Sequence, residues 1–297
     1  MLVDRYGRPI KHLRISVTSL CNMNCIYCHN EGMKDAGKDM SLEEIIEICK
    51  VFYDFGVEKV KITGGEPLIR GDIMDIIAEM PEFKEISMVT NGYYLSKYAY
   101  ELKEVGLNRV NVSLDTLNPE TYRFITGVRG LEKVLDGIES AYNAELTPIK
   151  LNMVVMKGVN EHEIEDILEY TARFNKNRIN VVLQLIELVG HDEYYYSLDE
   201  IEEKFKSRAK TVITRSLHAR RQYILGNKAV EFVRPFHAKF CMHCTRMRVT
   251  SDGKLKPCLM RDVTVDVRGL KGEELLEAIK RAVELREPYV KDLNQSR

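Results

Sequence analysis

The chain has 297 residues, 44% hydrophobic and 30% charged, enough to bury one large core or a large domain with a smaller appendage. Lys and Arg balance Asp and Glu to a formal charge of −1, which excludes sequence-independent attraction to nucleic acid or anionic lipid; an anionic ligand has to be met by a local basic cluster. No apolar run reaches the roughly 18 residues that cross a bilayer, and the opening Met1-Leu2-Val3-Asp4-Arg5 lacks the apolar stretch of an export signal, so a cytoplasmic protein is expected.

In chain order, a first β-branched run at 12–17 is followed by CNMNCIYC at 21–28 and then by a helical pattern at 41–55. Ser41 and Glu44 have capping-box spacing there, and Cys49 on the apolar stripe reads as core packing. A second run at 57–63 closes on Thr63-Gly64-Gly65-Glu66-Pro67, a third at 86–90 on Thr90-Asn91-Gly92 and a fourth at 109–114 on Ser113-Leu114-Asp115; two more lie at 150–156 and 179–187. Helical patterns at 71–80, 95–105, 130–144 and 160–174 separate them. Six strands alternating with helices imply α/β architecture with a parallel sheet, either doubly wound or closed into part of a barrel, and both place ligands at the carboxyl ends of the strands. Every chemically unusual segment follows a strand, so all belong on one rim. After about residue 210 the runs shorten, at 223–230 and at 248–255 with the Asp252-Gly253 of a tight hairpin, before a last helix near 272–286. The expected division is 1–210 for the alternating unit and 211–297 for an appended region.

Six of the seven cysteines fall in two groups, Cys21-x3-Cys25-x2-Cys28 and Cys241-x2-Cys244-x13-Cys258. In a long chain without an export signal, such groups read as thiolate metal ligands. Each supplies three thiolates where a closed site needs four. Zinc completed by His29, or by His237 or His243 in the second group, is one reading; an iron–sulfur cluster with one iron open to a small molecule is another. Gly64 and Gly65 let backbone approach a ligand closely, and Glu66 can accept hydrogen bonds from an ammonium. Arg246 and Arg248, two apart on a strand, face the same side, and their guanidinium forks suit phosphate oxygens.

The first triplet, with Tyr27 just before its last cysteine, together with Gly64-Gly65-Glu66-Pro67, resembles the radical S-adenosylmethionine (SAM) superfamily. Segments 4–10, 13–18, 61–68, 111–115 and 241–258 are similar to one of its subfamilies, the GTP 3′,8-cyclases of molybdenum cofactor biosynthesis. The resemblance implies a partial (β/α)6 TIM-like barrel whose carboxyl-terminal extension carries a second iron–sulfur cluster. It implies two [4Fe-4S] clusters, on Cys21, Cys25 and Cys28 and on Cys241, Cys244 and Cys258, with SAM chelating the open iron of the first and guanine binding that of the second. Tyr27, Gly64, Gly65, Glu66 and Ser113 would then face SAM, and Arg14, Lys61, Thr90, Lys150, Arg246 and Arg248 would face GTP. The implied reaction removes hydrogen from C3′ of the GTP ribose with a 5′-deoxyadenosyl radical and closes a bond to C8 of guanine. The implied partners are a flavodoxin- or ferredoxin-like electron donor, a downstream cyclic pyranopterin monophosphate synthase and a second copy in a homodimer.

Three departures accompany the likeness. The chain ends in 291–297 without the Gly-Gly tail common in the family, Lys61 stands where arginine is usual, and Gln184 stands where the family has an arginine on the sixth strand. The rival readings are a radical SAM peptide maturase with an auxiliary cluster and a non-catalytic iron–sulfur or zinc redox sensor.

Overall fold

The structure, a computed structural model, describes residues 1–33, 37–235 and 238–288, with the side chains of 238 and 239 left aside. His237 and the tail segment 291–297 lie outside the described residues.

The alternating unit runs β1 (His12–Ser16), α1 (Leu42–Asp54), β2 (Lys59–Thr63), α2 (Ile73–Glu79), β3 (Glu85–Thr90), α3 (Leu95–Glu104), β4 (Arg109–Ser113), α4 (Pro119–Thr126), α5 (Leu131–Asn143), β5 (Ile149–Val155), α6 (Ile164–Ala172) and β6 (Val181–Glu187). Local chemistry sets the helix ends. At α1 the Ser41 hydroxyl accepts from Glu44 N at 3.2 Å while the Glu44 carboxylate accepts from Ser41 N at 2.8 Å, the reciprocal pair its spacing predicted. Cys49 is fully buried with Ile45, Ile48 and Phe52, and burial pushes its thiol up to about 12.

Among the described residues three α-helices were not anticipated: α4, α7 (Asp199–Arg208) and the five-residue α8 (Ala238–Met242). In α4, Asn118 caps the amides of Glu120 and Thr121, Pro119 fills the first position, and Gly127 at φ 75° ends it. Its eight residues are too few for a helical period to stand out. The next helix, α7 (Asp199–Arg208), is strongly polar and buries only Ile201, Glu202 and Phe205, so its apolar stripe is nearly absent from the sequence.

From there the chain gives β7 (Thr211–Thr214), β8 (Arg221–Leu225), β9 (Lys228–Val233), α8 (Ala238–Met242), β10 (Arg246–Val249), β11 (Lys254–Lys256), β12 (Val265–Asp266) and α9 (Gly272–Glu284). The run at 223–230 is a hairpin that turns at Gly226, joining β8 to β9. Among the described residues the twelve strands form one sheet, ordered β12-β11-β10-β1-β2-β3-β4-β5-β6-β9-β8-β7. Strands β1 to β6 are parallel neighbours in sequence order, as the alternation implied. The strands after residue 210 continue this sheet at both ends: β10 pairs parallel with β1 and β9 parallel with β6. Both edges of the parallel core are thereby covered, and the open ladders move outward to the short strands β12 and β7. Among the described residues, no helix is long and apolar enough to cross a membrane.

Side chains alternate across the pleat. Ile15, Ile62, Met88, Val112, Leu151 and Leu185 belong to the hydrophobic core, while residues of the opposite parity, Arg14, Lys61, Ser87, Asn111, Lys150 and Gln184, line a cavity on the other face.

Candidate active site

That cavity has a volume of about 710 Å³, and all six grouped cysteines line it. Cys21, Cys25 and Cys28 come from the loop after β1, with Cys21 and Cys28 exposed. The unanticipated α4 helps hold this loop: Asn24 N and Ile26 N donate to Thr126 O and Ile125 O, each at 3.0 Å. On its other side, Gly65 N and Glu66 N donate to Thr18 O and Leu20 O, each at 2.8 Å. A Cβ on Gly64 would stand 2.6 Å from Thr18 O, so only glycine lets the end of β2 come this close to the cysteine loop. Tyr27 donates its hydroxyl to Asp115 at 2.6 Å, and Val154 N donates to the other carboxylate oxygen at 2.8 Å, locking the loop to the ends of β4 and β5. Burial pushes the Asp115 carboxyl up to about 6.

Cys241, Cys244 and Cys258 approach from the other end of the sheet, braced by an ion triad. Asp4 takes Arg8 Nε and Arg286 Nη1, each at 2.8 Å, and both arginines reach onward, Arg8 to Cys241 O at 2.9 Å and Arg286 to Cys244 O at 2.6 Å. The opening Asp4-Arg5-Tyr6-Gly7-Arg8 is therefore a clamp on the second cysteine segment. The two triplets differ electrostatically. Burial pushes the Cys21 and Cys25 thiols up. Burial alone would do the same to Cys244, but the guanidiniums of Arg286, Arg246 and Arg248 outweigh it and hold that thiol below its usual range.

A row of cations crosses the sheet between the triplets. Strand register puts Arg248 beside Arg14, Arg14 beside Lys61, Lys61 beside Ser87 and Ser87 beside Arg109. Glu31, from the loop after the first triplet, enters this row: it pairs with Arg14, accepts from Arg248 Nη1 at 3.1 Å and accepts from Thr63 at 2.9 Å. Burial alone would push the Glu31 carboxyl up; Arg14 and Arg248 overcome it and hold the carboxyl well below the usual range. A group whose folded value is depressed contributes stability above its unfolded value of 4.5 and loses it as pH falls toward the folded value. Glu31→Gln is therefore expected to cost about 3 kcal/mol at pH 7, the low end for breaking a buried ion pair. The gap in melting temperature between variant and wild type should narrow below pH 4.5, and a gap independent of pH would refute the ionic account.

The other residues singled out in the sequence are placed as follows. Ser113 lines the cavity, and Lys150, also there, pairs with Glu231 at 2.6 Å. Lys61 Nζ donates to Asn111 at 2.9 Å, and burial with the surrounding cations lowers its pKa strongly. Thr90 borders the cavity, but its hydroxyl donates to Glu66 at 2.8 Å and accepts from Gly92 N at 3.0 Å. Glu66 sits apart, 1% exposed, with its carboxylate accepting from Leu68 N, Thr90 and Asn91 N at 2.6–3.0 Å. Sequence reading passed over Glu31, Arg109, Asn111, Arg220 and Glu231. Arg109 and Asn111 share the parity of Ser113 on β4, a signal that was available; Glu31 and Arg220 reach the cavity only through tertiary folding, and Glu231, fully buried, meets Lys150 and Arg220 only once the chain has folded.

Comparison with known proteins decides the family. Residues 15–171 match the radical SAM superfamily and residues 183–292 match the family described as Molybdenum Cofactor Synthesis C. A probable GTP 3′,8-cyclase of Archaeoglobus fulgidus is 52% identical over 98% of this chain and 100% of its own length. The chain belongs to the GTP 3′,8-cyclase family of radical SAM enzymes. A further probable GTP 3′,8-cyclase, from Methanocella arvoryzae, is 43% identical over 98% of this chain and 95% of its own. The fold is similar to that of Streptococcus suis SuiB bound to S-adenosylmethionine, with a TM-score of 0.65 at 15% identity, covering 90% of this chain and 64% of that one.

Radical SAM enzymes use SAM and a four-iron cluster, and the first triplet fits such a group. Met23 N and Asn30 N each stand 3.4 Å from a sulfur, of Cys21 and Cys28 respectively, as donors that would stabilise thiolate charge. Among the described residues no three His, Cys, Asp or Glu side chains are grouped closely enough to hold a single metal ion; thiolates that each take a different iron need no such grouping.

Proposed function

We propose that this protein converts GTP to (8S)-3′,8-cyclo-7,8-dihydroguanosine 5′-triphosphate, the first step of molybdenum cofactor biosynthesis. The observation that carries this reading is that two cysteine triplets and a row of cations face one cavity of nucleotide size. When bound at Cys21, Cys25 and Cys28, a reduced four-iron cluster supplies the electron that cleaves SAM to the radical. Gly64 and Gly65 shape the wall on which SAM lies, with Tyr27 and Ser113 nearby. Glu66, tied to Leu68, Thr90 and Asn91, supports that wall from behind by fixing the ends of β2 and β3.

Cys241, Cys244 and Cys258 are proposed to hold a second four-iron cluster that receives the guanine, with the 211–297 region as its carrier. Arg14, Lys61, Lys150, Arg246 and Arg248 take the remainder of the nucleotide, and Thr90 packs at the border. An alkyl radical reacts with whatever lies nearest, so these contacts have to hold the ribose in a near-attack position and keep water out. The electron comes from a flavodoxin- or ferredoxin-like donor, the product passes to a cyclic pyranopterin monophosphate synthase, and the working form is a cytoplasmic homodimer.

Anaerobic reconstitution followed by incubation with SAM, GTP and dithionite tests the reading. Expected are about eight irons per chain, 5′-deoxyadenosine and a cyclised GTP resolved by mass. Deoxyadenosine without loss of GTP would refute the cyclase assignment while leaving SAM cleavage intact; four irons with bound zinc would refute the second cluster.

A further inference from the structure

Gln184 leaves the sixth strand without a cation, yet the cavity wall beside it is strongly basic. The hairpin of β7 and β8 lies at the far edge of the sheet, but its turn folds inward, and Arg215, His218 and Arg220 all line the cavity. The turn is strained: His218 and Ala219, neither a glycine, take φ of 64° and 49°. Such backbone is unfavourable for a non-glycine residue and persists only where its surroundings enforce it. Here the enforcement is visible. The His218 ring stacks on Phe240 with centroids 3.7 Å apart, and His218 N donates to His243 O at 3.0 Å, which fixes the turn to the segment bearing Cys241 and Cys244.

The strained turn delivers Arg220 to a corner organised around one buried carboxylate. Glu231 on β9 is fully buried; it forms an ion pair with Arg220 Nη1 at 2.9 Å and accepts from Lys150 Nζ at 2.6 Å and Gln184 Nε2 at 2.9 Å, with Arg215 at 4.0 Å. A single negative charge thus faces Lys150, Arg220 and Arg215, leaving the corner with surplus positive charge. Arg220 is only 14% exposed, and its Nε is buried with no hydrogen-bond partner among the described residues. A part-buried cluster with more cations than carboxylates, and a buried donor left unsatisfied, are completed by an anion.

We propose that Arg220 is a substrate-binding residue that grips the phosphate chain of GTP together with Lys150, and that Glu231 is the positioning residue that holds both. The inference rests on GTP being the ligand of this cavity. The corner is built by the turn between β7 and β8 with β5, β6 and β9, several strands along the sheet from the β1 loop and β2 end assigned to the SAM wall, so the anion assigned to it is the nucleotide's.

The test measures equilibrium binding of GTP, guanosine and SAM to the anaerobic, reconstituted full chain without reductant, for wild type, Arg220→Ala and Arg220→Lys. Loss of a charged hydrogen-bonding group from a phosphate site weakens binding by about tenfold to a hundredfold. Arg220→Ala should show that loss for GTP, less than twofold change for guanosine and SAM, and wild-type iron content; Arg220→Lys should recover part of the GTP affinity because it keeps charge without the fork. If Arg220→Ala loses iron, Arg220→Lys is read alone and should still weaken GTP more than guanosine. Equal weakening of GTP and guanosine, or none, overturns the inference and leaves the cyclase reading standing. A wild type that binds SAM but not GTP overturns both.

Discussion

Gly65→Ala is expected to lower 5′-deoxyadenosine formation by about a hundredfold or more, the scale of loss that an ångström of misplacement at a reacting centre produces. The added Cβ would lie 2.0 Å from Leu20 O, 2.5 Å from Leu20 C and 2.8 Å from Ser19 O. These are backbone atoms of the loop that enters Cys21, so no side chain can swing aside and the loop itself has to shift. Overpacking of this kind costs about 1–3 kcal/mol, occasionally more. Iron content and SAM affinity should fall with activity. Gly71→Ala is the control, because its Cβ meets nothing within 4 Å, and it should match wild type in all three measurements. Wild-type deoxyadenosine yield from Gly65→Ala would mean that the close approach of β2 to the cysteine loop is not what shapes the SAM wall.

Asp4→Ala should unfasten the other end of the cavity. Asp4 also accepts the backbone amides of Tyr6 and Arg8, both at 3.0 Å, so its carboxylate organises the amino-terminal hook as well as the two arginines. Its removal leaves Arg8 and Arg286, 6% and 1% exposed, without their shared counter-charge. Breaking such a buried set costs about 3–5 kcal/mol, which thermal unfolding would register. The specific signature is chemical: iron should drop from about eight to about four per chain, with SAM cleavage retained and GTP cyclisation lost. Unchanged iron would show that the clamp does not support a cluster at Cys241, Cys244 and Cys258.

Much of the site was legible because its residues sit at strand ends or at fixed parity along strands. Cys21, Cys25 and Cys28, Gly64 and Gly65, Ser113, and Arg246 and Arg248 are local patterns, and a strand's period of two then assigns each to a face. The same period would have added Arg109 and Asn111. Glu31 was not legible, since its role depends on a loop folding back between Arg14 on β1 and Arg248 on β10, 217 positions from the latter. Asp4, Arg8 and Arg286 span nearly the whole chain, and nothing in either end's local sequence points to the other.

The sequence by itself determined the alternation of strands and helices, the parallel sheet, the rim that carries the chemistry and the family to which the chain belongs, because these follow from short-range periodicity, turn residues and contiguous motifs. Tertiary structure alone decided that the region after residue 210 completes both edges of one sheet, that α4 steadies the cysteine loop, and that Arg220 is carried by a strained turn to Lys150 and Glu231. Hydrophobic burial fixes which face of an element turns inward, and a sequence displays that face. Which distant charges then meet is set by strand order and by the need to neutralise each buried charge, and both exist only once the chain has closed around its cavity.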